Sequence, residues 1–495
     1  MKNKSIWIIL LGIFGLAYFL RVMYLPKNIL TFGYDQARDA VISQQILSGD
    51  IKIQGPPAST PGLYHGVFYY YLLAPAYAAG ANPVNAAYWI ALLNAATVFI
   101  VFYLGYLMTK KAWVGILAAF LFAISFEATQ YATWLSNPTI GVWTVPLIYL
   151  GLWLWLFEKR KWGVWMAAVG LGLSIQAEIF LAYHIIPLAI WLWVERKNVA
   201  KKQLLVFGFV FLVTIGTMVL NELKFGFRSI EGIKSLALGA DANLAYAKSL
   251  GDYLILYLNQ IGRIFAFNSY PGNIGYGGGF VLGLAIYSLV KKDKIGMFLT
   301  TWLFSHLTVV TIGGTSTPFL MVGIGPAVSL IIAYYLSKFS KLPAVVLLAL
   351  LMFGNLSMIL RENPKGSTLF AIQKDMLLAK ELKAVDFTYE KAEGKPFTFN
   401  SLTSPLWTNI VWSYLYNWYG NDKYGYVPSH HGKSQVGQVT TLPENAIRSD
   451  PYFLILEPMG GIPEKYLLET LAEEDLYSEI VEEIYYGELR VQERR

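Results

Sequence analysis

Long apolar runs dominate the first 360 residues of the chain and are separated by short polar or charged breaks. A run of about 20 apolar residues is long enough to cross the hydrocarbon core of a membrane as a helix. The pattern therefore predicts an all-α polytopic membrane protein with about eleven transmembrane helices. The predicted spans are Ile6–Leu25, Val84–Met108, Ala112–Phe126, Thr139–Phe157, Trp162–Ile175, Ile179–Val194, Leu204–Asn221, Ile274–Val290, Ile295–Ile312, Phe319–Leu336 and Pro343–Leu360.

Lysine and arginine residues indicate which way the predicted spans cross the membrane, because cytoplasmic loops are rich in them. With a cytoplasmic N-terminus, the short basic loops all fall on the cytoplasmic side, at 110–111, 158–161, 195–202, 291–294 and 338–341. The apolar stretch Leu63–Ala79 is predicted to be an interfacial or re-entrant helix, because a twelfth span there would move every later basic loop outside. With a cytoplasmic N-terminus, an odd number of spans leaves the C-terminus outside the cytoplasm. We therefore predict a multi-pass protein of the plasma membrane whose C-terminal region is extracytoplasmic.

The composition agrees with a membrane location and excludes several classes of function. Hydrophobic residues make up 55% of the chain and charged residues 14%, whereas soluble domains carry about 25% charged residues. Basic residues outnumber acidic ones by 25 to 12 up to residue 360, and acidic residues outnumber basic ones by 20 to 14 afterwards. The positive charge thus belongs to membrane loops and not to a nucleic-acid-binding patch. The absence of cysteine excludes disulfides, thiolate metal sites and cysteine nucleophiles.

The region after residue 360 is soluble in composition, and its size is sufficient for one small domain. Its apolar pattern predicts two strands, one helix and a partly alternating end, at Pro396–Asn400, Tyr452–Leu456, Glu464–Leu471 and Tyr477–Gln492. We therefore predict two domains: a transmembrane domain over residues 1–360 and a small extracytoplasmic α/β domain over residues 361–495.

The predicted outer loop 26–83 carries two acidic residues just beyond the first span. Asp35 precedes a stretch, Gln36–Ser48, whose apolar residues recur at helical spacing, so an amphipathic juxtamembrane helix is predicted there. Asp35 and Asp39 lie four residues apart on one face of that helix, with Arg38 beside them. Asp35 either caps the helix or acts as a general base that deprotonates an acceptor, and the two roles are compatible. Arg38 and Asp39 either form an ion pair that stabilises the structure or bind substrate.

These features resemble the GT-C glycosyltransferases, in particular the bacterial branch related to protein O-mannosyltransferases and the lipid A aminoarabinose transferase. Members of that superfamily carry an acidic residue shortly after the first span, and Asp35 matches that position. The segment Thr60–Tyr71, which includes Tyr64 and His65, is similar to a short motif that precedes the second span in the family. The loop Gly313–Phe319 departs from the family, because it has no basic residue where relatives often carry one.

The resemblance implies a GT-C-like fold and an integral membrane glycosyltransferase. Its donor would be a polyprenyl-phosphate-linked sugar, and its acceptor a lipid, a glycan or a protein on the extracytoplasmic face. Asp35 would be the catalytic base, Tyr64 and His65 would bind substrate, and membrane lipids would surround the site. Nucleic acid would not be a partner, and a divalent metal is left open as a cofactor.

Other polar residues near the predicted outer boundary are candidates for the same site. Glu127, in the second outer loop, is predicted as a second catalytic carboxylate that positions the acceptor or contributes to a metal site. A solvated carboxylate at a helix end explains Glu127 equally well. Asn137 in the same loop is expected to bind substrate, and Asn137-Pro138 to begin the next helix. Glu178 and His184 lie near the outer ends of the fifth and sixth spans, where an ionisable group faces a cavity or pairs internally.

A phosphate-linked donor needs cationic groups on the outer side of the membrane. Arg228 and Arg263, in the predicted loop 222–273, are the substrate-binding candidates. A solvated loop charge is the simpler explanation of each of them.

Two other classes of function stay open at this point. A transporter or flippase of lipid-linked sugars would occupy the same membrane environment, although the chain shows no clear internal repeat of the kind common in transporters. A non-catalytic assembly or sensor protein would use the outer domain as a binding module. Loss of activity on removal of the Asp35 carboxylate would favour the enzyme over both.

Overall fold

The computed structural model describes residues 4–58, 60–237, 249–313, 318–366, 368–371 and 373–495. Up to residue 362 the described chain is built from α-helices joined by loops and short 3-10 turns. The helices are α1 (Lys4–Val22), α2 (Tyr34–Leu47), α3 (Phe68–Tyr77), α4 (Pro83–Thr109), α5 (Ala112–Ala123), α6 (Phe126–Ala132), α7 (Gly141–Leu156), α8 (Trp162–Ala177), α9 (Ile185–Val194), α10 (Lys201–Thr214), α11 (Gly216–Phe225), α12 (Arg228–Ala237), α13 (Leu250–Phe267), α14 (Ile274–Val290), α15 (Lys294–Leu303), α16 (Leu307–Gly313), α17 (Gly325–Leu336) and α18 (Lys341–Glu362). The 3-10 helices lie at Leu25–Lys27, Asn137–Ile140, Ile179–His184, Arg196–Asn198, Pro318–Met321 and Asn363–Lys365.

Within the described ranges, five helical segments are long and apolar enough to cross a membrane, or seven if each of two bent helix pairs counts as one span. Shorter apolar helices accompany them: α8, Ile179–Val194, α14 and α17. The chain is therefore a multi-pass membrane protein, as its apolar runs predict. The predicted total of about eleven spans is not confirmed, because these shorter helices have only 10–17 residues and about 20 are needed to cross a bilayer.

Two predicted spans are bent helix pairs in the structure. The helix predicted over Ala112–Phe126 is α5, which ends at Ala123. The chain then continues as α6, whose axis makes an angle of 58° with that of α5. Ser125 causes this break, because its Oγ accepts a hydrogen bond from Ala128 N–H and so begins a new helix. The predicted span Leu204–Asn221 is divided between α10 and α11, which meet at 59°.

Arg21, buried in α1, stabilises the bend between α5 and α6. Its guanidinium donates to the carbonyl oxygens of Phe122 and Ala123, at 3.4 and 2.9 Å, and to Asn94 Oδ1 at 2.7 Å. The two carbonyls belong to the C-terminal turn of α5, where an α-helix leaves such groups without an intrahelical donor. A cation at this end also interacts favourably with the helix dipole. Arg21 thus supplies the Ala123 carbonyl with a donor that lipid could not provide, and it adds a second donor to the Phe122 carbonyl, which already accepts from Ser125 N–H at 3.2 Å.

The outer loop folds as two short helices between α1 and α4. α2 matches the helix predicted at Gln36–Ser48. Gly33 is its N-cap residue, and the Gly33 N–H donates to Gln36 Oε1 at 3.0 Å. The prediction that Asp35 caps the helix is therefore wrong, and Asp35 lies in the first turn instead. α3 has ten residues within the stretch 63–79, too few to cross a bilayer.

The C-terminal region forms a five-stranded sheet with helices on both faces. Its elements are α19 (Leu378–Ala392), β1 (Thr398–Leu402), α20 (Ile410–Leu415), a π-helical turn (Tyr416–Gly420), α21 (Asn421–Tyr424), β2 (Ser429–His430), β3 (Tyr452–Leu456), α22 (Lys465–Asp475), β4 (Ile480–Tyr486) and β5 (Leu489–Arg494). The strand order is β2-β1-β3-β5-β4; β1 is parallel to β2 and β3, and β5 is antiparallel to β3 and β4. The predicted small α/β region is confirmed, and its alternating end is the β4–β5 hairpin.

Apolar residues alternate between the two faces of the sheet. Phe399 and Phe453 pack with Phe387 of α19 on one face. Leu402 and Leu454 lie on the other face, against α22. The period-two pattern of these strands therefore explains why helices cover both sides.

The sheet region packs against the helices of the first outer loop. Tyr414 on α20 accepts a hydrogen bond from Gln44 Nε2 at 3.0 Å. Phe32 N–H, just before α2, donates to the Met376 carbonyl at 3.1 Å. One apolar cluster joins the two regions and includes Ala40, Tyr69, Ile90, Trp412 and Phe453. The C-terminal region is thereby held against the outer loops, and the space left between them is the candidate site.

Candidate active site

A cavity of about 450 Å³ opens where the outer loops meet the C-terminal region. Its walls come from the start of α2, the loop before α3, the loop before α7, the turn after α8, and two segments at 369–376 and 404–405. Its polar lining includes Asp35, Gln36, His65, Ser136, Asn137, Glu178 and Gln373. A concave site with a few convergent polar groups and a mostly apolar wall is the usual form of a ligand pocket.

α2 presents Asp35 and Asp39 of the first outer loop together with Arg38 between them. Arg38 Nη1 lies 2.8 Å from Asp35 Oδ1, and Arg38 Nη2 lies 2.6 Å from Asp39 Oδ1. The Asp35 side chain is 51% exposed and lines the cavity, whereas the Asp39 side chain is 1% exposed. Asp35 also stands in the first turn of α2, where the helix dipole favours an anion. One guanidinium therefore fixes an accessible carboxylate by bridging it to a buried one.

Asp39 is the buried anchor of this arrangement. Burial raises the pKa of the Asp39 carboxyl to about 7, against the opposing effect of the Arg38 guanidinium. Asp39 Oδ2 has no hydrogen-bond partner in the part of the chain that the structure describes. Arg38 and Asp39 are both enclosed, so they position Asp35 and do not themselves line the cavity.

His65 reaches the cavity on a loop that packs against the C-terminal end of α8. Gly66 N–H donates to the Gln176 carbonyl at 2.8 Å, and Phe68 N–H donates to Gln176 Oε1 at 3.2 Å. A Cβ atom on Gly66 would lie 2.4 Å from Gln176 Oε1, so this close approach requires glycine. The loop thereby brings His65 against the turn that follows α8.

His65 and Glu178 form a buried pair at the cavity wall. His65 Nδ1 accepts a hydrogen bond from Ile179 N–H at 3.2 Å and lies 3.6 Å from Glu178 Oε1. Burial lowers the pKa of His65 to about 3 and raises the pKa of Glu178 to about 8, so both are neutral at pH 7. Because Nδ1 is an acceptor, the ring proton of neutral His65 is on Nε2. The pair thus offers an N–H donor and a carboxylic acid instead of two charges.

The loop before α7 supplies an amide and part of an aromatic wall. A 3-10 helix begins at Asn137, with proline in its first turn, as predicted. Asn137 Nδ2 donates to the Ala177 carbonyl at 2.5 Å, which ties this loop to the end of α8. The ring centroids of Trp134 and Phe370 lie 4.9 Å apart, and both residues line the cavity. Together they form an apolar surface beside the polar groups.

Glu127 lies on α6 and is not among the residues that line the cavity. Its carboxylate accepts a hydrogen bond from Asn268 Nδ2. Asn268 Oδ1 in turn accepts from Ser125 Oγ at 2.7 Å. Glu127 is therefore a buried, hydrogen-bonded group near the α5–α6 bend, and its catalytic role stays a prediction.

The remaining predicted substrate-binding residues also lie outside the lining, namely Tyr64, His184, Arg228 and Arg263. His184 is fully buried between helices, with its Nδ1 2.9 Å from Tyr149 Oη, which agrees with internal pairing. Arg263 Nη2 donates to the Leu369 carbonyl at 3.4 Å, and Leu369 does line the cavity. Arg228 is exposed at the start of α12. Their substrate contacts stay predictions.

Several lining residues were not predicted from the sequence. Trp134 and Phe180 lie close in sequence to Asn137 and Glu178, which were predicted. An aromatic residue next to a predicted polar site residue could therefore have indicated both of them. Gln373 and Ser404 come from the chain after α18, and only tertiary packing brings them to α2. No local pattern could have identified them.

The described ranges contain no group of three or more His, Asp or Glu side chains arranged to hold a metal ion. The use of a divalent metal stays a prediction. The loop Gly313–Phe319, which lacks the basic residue expected from the family, lies mostly outside the described residues.

No family model matches the chain, and no curated protein matches its sequence. In structure the chain is similar to ArnT from Cupriavidus metallidurans in the apo state, with 10% sequence identity and a TM-score of 0.63, over 98% of this chain and 97% of that chain. It is also similar to ArnT from the same organism bound to undecaprenyl phosphate, with 11% identity and a TM-score of 0.60, over 99% and 98%. An oligosaccharyltransferase from Archaeoglobus fulgidus, tethered to an acceptor peptide, gives 14% identity and a TM-score of 0.50, over 83% and 63%.

The likeness to ArnT covers the outer loops and the C-terminal region as well as the membrane helices, because nearly the whole of each chain is aligned. The GT-C resemblance carried by the first outer loop is thus confirmed at the level of architecture. The chain therefore has the same overall fold as ArnT.

Proposed function

We propose that this protein is an integral membrane glycosyltransferase that takes its sugar from a polyprenyl-phosphate-linked donor. The observation that carries the proposal is the Asp35 carboxylate, half exposed at a cavity wall and held by Arg38 in a GT-C fold. The class of donor is inferred from the likeness to ArnT, for which a structure bound to undecaprenyl phosphate is known.

The proposed reaction is a single displacement. The Asp35 carboxylate accepts the proton of an acceptor hydroxyl or amine, and the oxygen or nitrogen so activated attacks the anomeric carbon of the donor. A bond forms between that atom and the anomeric carbon, while the bond from the anomeric carbon to the phosphate oxygen breaks. The electron pair of the broken bond leaves with the polyprenyl phosphate. General-base assistance of this kind contributes roughly 10²–10⁴-fold to the rate.

The neutral groups of the cavity are suited to sugar hydroxyls. His65 presents an N–H donor and Glu178 a carboxylic acid, and hydroxyl groups both donate and accept hydrogen bonds. Trp134 and Phe370 offer an apolar surface for the C–H face of a sugar ring or for lipid. The donor phosphate would be met by cations, for which we retain Arg228 and Arg263.

We infer that the cavity opens on the extracytoplasmic side of the plasma membrane. The basic loops lie at the opposite ends of the predicted spans, which keeps them and the N-terminus in the cytoplasm. Nucleotide sugars are cytoplasmic, so an enzyme that works outside requires a sugar already carried across the membrane on a lipid phosphate. The acceptor would then be a lipid, a glycan or a protein on that face.

Release of labelled sugar from polyprenyl-phosphate-sugars tests the proposal. The purified protein in detergent is given each donor with a mixed pool of cell-envelope acceptors, and Asp35→Asn is assayed beside it. Asp50→Asn, an exposed carboxylate in the same outer loop, is the matched control. We expect turnover of one donor by the wild type and by the control, and its near loss in Asp35→Asn. Equal turnover in all three proteins would remove Asp35 from the reaction, and donor binding without turnover in any of them would favour transport.

A further inference from the structure

A second cleft, of about 590 Å³, lies in the C-terminal sheet region, and we call it the β1–β2 cleft. Leu402 and His430, the last residues of β1 and β2, both line it. These two strands are parallel, and β2 is the edge strand of the sheet. The carboxyl ends of parallel strands are where ligands bind in open α/β sheets. The proposed reaction uses none of the residues in this cleft.

Trp407 stands in the wall of the β1–β2 cleft with an unusual backbone conformation. Its φ angle is 59°, in the strained left-handed region that a bulky residue rarely adopts. The side chain is nevertheless 41% exposed. The ring meets Tyr466 edge-on, and Lys433 Nζ lies 3.3 Å from the Trp407 ring centroid. Core packing does not explain a half-exposed indole held on a strained backbone, whereas contact with a ligand does.

The β1–β2 cleft also contains buried polar groups that lack partners. His430 and Ser401 are each 5% exposed, and His430 Nδ1 and Ser401 Oγ have no hydrogen-bond partner anywhere in the described chain. Buried polar groups in native proteins are nearly always paired, with protein, water or ligand. Glu474, in contrast, is fixed by three donors, at 2.8–2.9 Å, from Asn400, Arg448 and Tyr452. The cleft therefore has a rigid polar wall with free hydrogen-bonding capacity.

The charges around the β1–β2 cleft nearly cancel. Lys433 and Arg448 are balanced by Glu444, Glu473 and Glu474. An anionic ligand such as a phosphate would need an excess of positive charge, which this wall does not provide. A neutral saccharide fits, because its hydroxyls both donate and accept hydrogen bonds and its C–H face packs on an indole ring.

We propose that the β1–β2 cleft binds a neutral saccharide segment of the acceptor. Ser404 lines the active-site cavity and Trp407 lines the cleft, and three residues of extended chain span at most about 11 Å. One strand-to-helix connection thus contributes to both sites, so a saccharide held in the cleft would extend towards Asp35. The inference rests on the proposed transferase function and specifies its acceptor as a glycan or a glycan-bearing molecule.

The experiment measures binding of the full-length protein in detergent to an array of short neutral and acidic oligosaccharides. Trp407→Gly removes the indole and suits the positive φ, so loss of binding would not reflect a strained backbone. Tyr485→Ala, an exposed aromatic residue on the opposite edge strand of the sheet, is the matched control. Asp35→Asn is included to separate binding in the cleft from catalysis.

We expect a neutral oligosaccharide to bind, with about tenfold weaker affinity for Trp407→Gly, as the loss of an aromatic contact predicts. Tyr485→Ala and Asp35→Asn should bind it as the wild type does. Absence of neutral-oligosaccharide binding, equal binding by Trp407→Gly, or binding of acidic oligosaccharides alone would overturn the proposal. If Asp35→Asn kept full transferase activity while Trp407→Gly lost binding, the catalytic proposal would fail and the saccharide site would stand.

Discussion

Replacing Arg38 with methionine separates the structural role of the Arg38–Asp39 pair from the catalytic role of Asp35. Methionine keeps an unbranched side chain and removes the guanidinium. The change removes the contact with Asp35 Oδ1 at 2.8 Å and those with Asp39 Oδ1 at 2.6 and 2.9 Å. Asp39 would then be a carboxyl group that is enclosed by protein with no cation beside it, so it would have to take up a proton to stay buried.

The size of the effect follows from burial. The Arg38 and Asp39 side chains are 6% and 1% exposed, and removing one partner of a buried ion pair costs about 3–5 kcal/mol. In a chain of 495 residues, a loss of that size should lower the unfolding midpoint by roughly 3–5 °C. Adding Asp39→Asn replaces this carboxyl group with a neutral amide that needs no proton uptake, so most of the stability should return. Sugar transfer should stay about 10²-fold low in both variants, because Asp35 has lost the group that positions it.

Two assays on the same preparations test this prediction. Tryptophan fluorescence during heating in detergent gives the unfolding midpoint, and release of labelled sugar gives the transfer rate. Asp50→Asn is the control for removal of a charge from the same loop. A midpoint for Arg38→Met equal to that of the wild type would refute the ion-pair reasoning. Recovery of transfer by the double variant would refute the positioning role of Arg38.

Three further predictions concern buried ionisable groups. Arg21→Met removes the donor to the carbonyls of Phe122 and Ala123 and should lower the unfolding midpoint, with Arg21→Lys intermediate; equal midpoints would contradict the role given to Arg21. Burial raises the pKa of Glu178 to about 8. The contribution of Glu178 to stability should therefore be full below its unfolded pKa of about 4.3 and fall as the pH rises towards 8. Glu178→Gln should remove this dependence on pH. Burial lowers the pKa of His430 to about 4. The contribution of His430 to stability should therefore be full above its unfolded pKa of about 6.5 and fall as the pH drops towards 4. His430→Gln should remove this dependence on pH. Unfolding midpoints from pH 4 to 8 measure both slopes, and an unchanged slope in either variant contradicts the assignment.

The membrane helices were largely predictable because lipid imposes a simple length and composition rule. The bends were not. Ser125 lies at the end of an apolar run, and its role as the cap of a new helix depends on a local hydrogen bond that hydropathy does not register. The buried Arg21 carried the clearest signal of the bend, since a cation inside a membrane needs buried acceptors, and its acceptors lie at the end of α5.

The residues of the candidate site that could be predicted are polar residues at the ends of apolar runs, next to the membrane boundary. Asp35, Asn137 and Glu178 line one cavity although they lie far apart in the chain, because each follows or precedes an apolar run at the same boundary. Glu127 satisfied the same rule, yet it is bonded to Asn268 away from the lining, since the rule places a residue at a depth and does not orient its side chain. Residues from the C-terminal region could be found only from the folded chain.

In the proposed mechanism Asp35 acts on the acceptor and not in binding the donor. The most direct test is a single-turnover measurement of sugar transfer with the donor bound in advance, for the wild type and Asp35→Asn, after donor affinity has been measured for each. We predict unchanged donor affinity and a transfer rate reduced by roughly 10²–10⁴-fold in Asp35→Asn. A transfer rate equal to that of the wild type, once donor binding is saturated, would contradict the proposed mechanism.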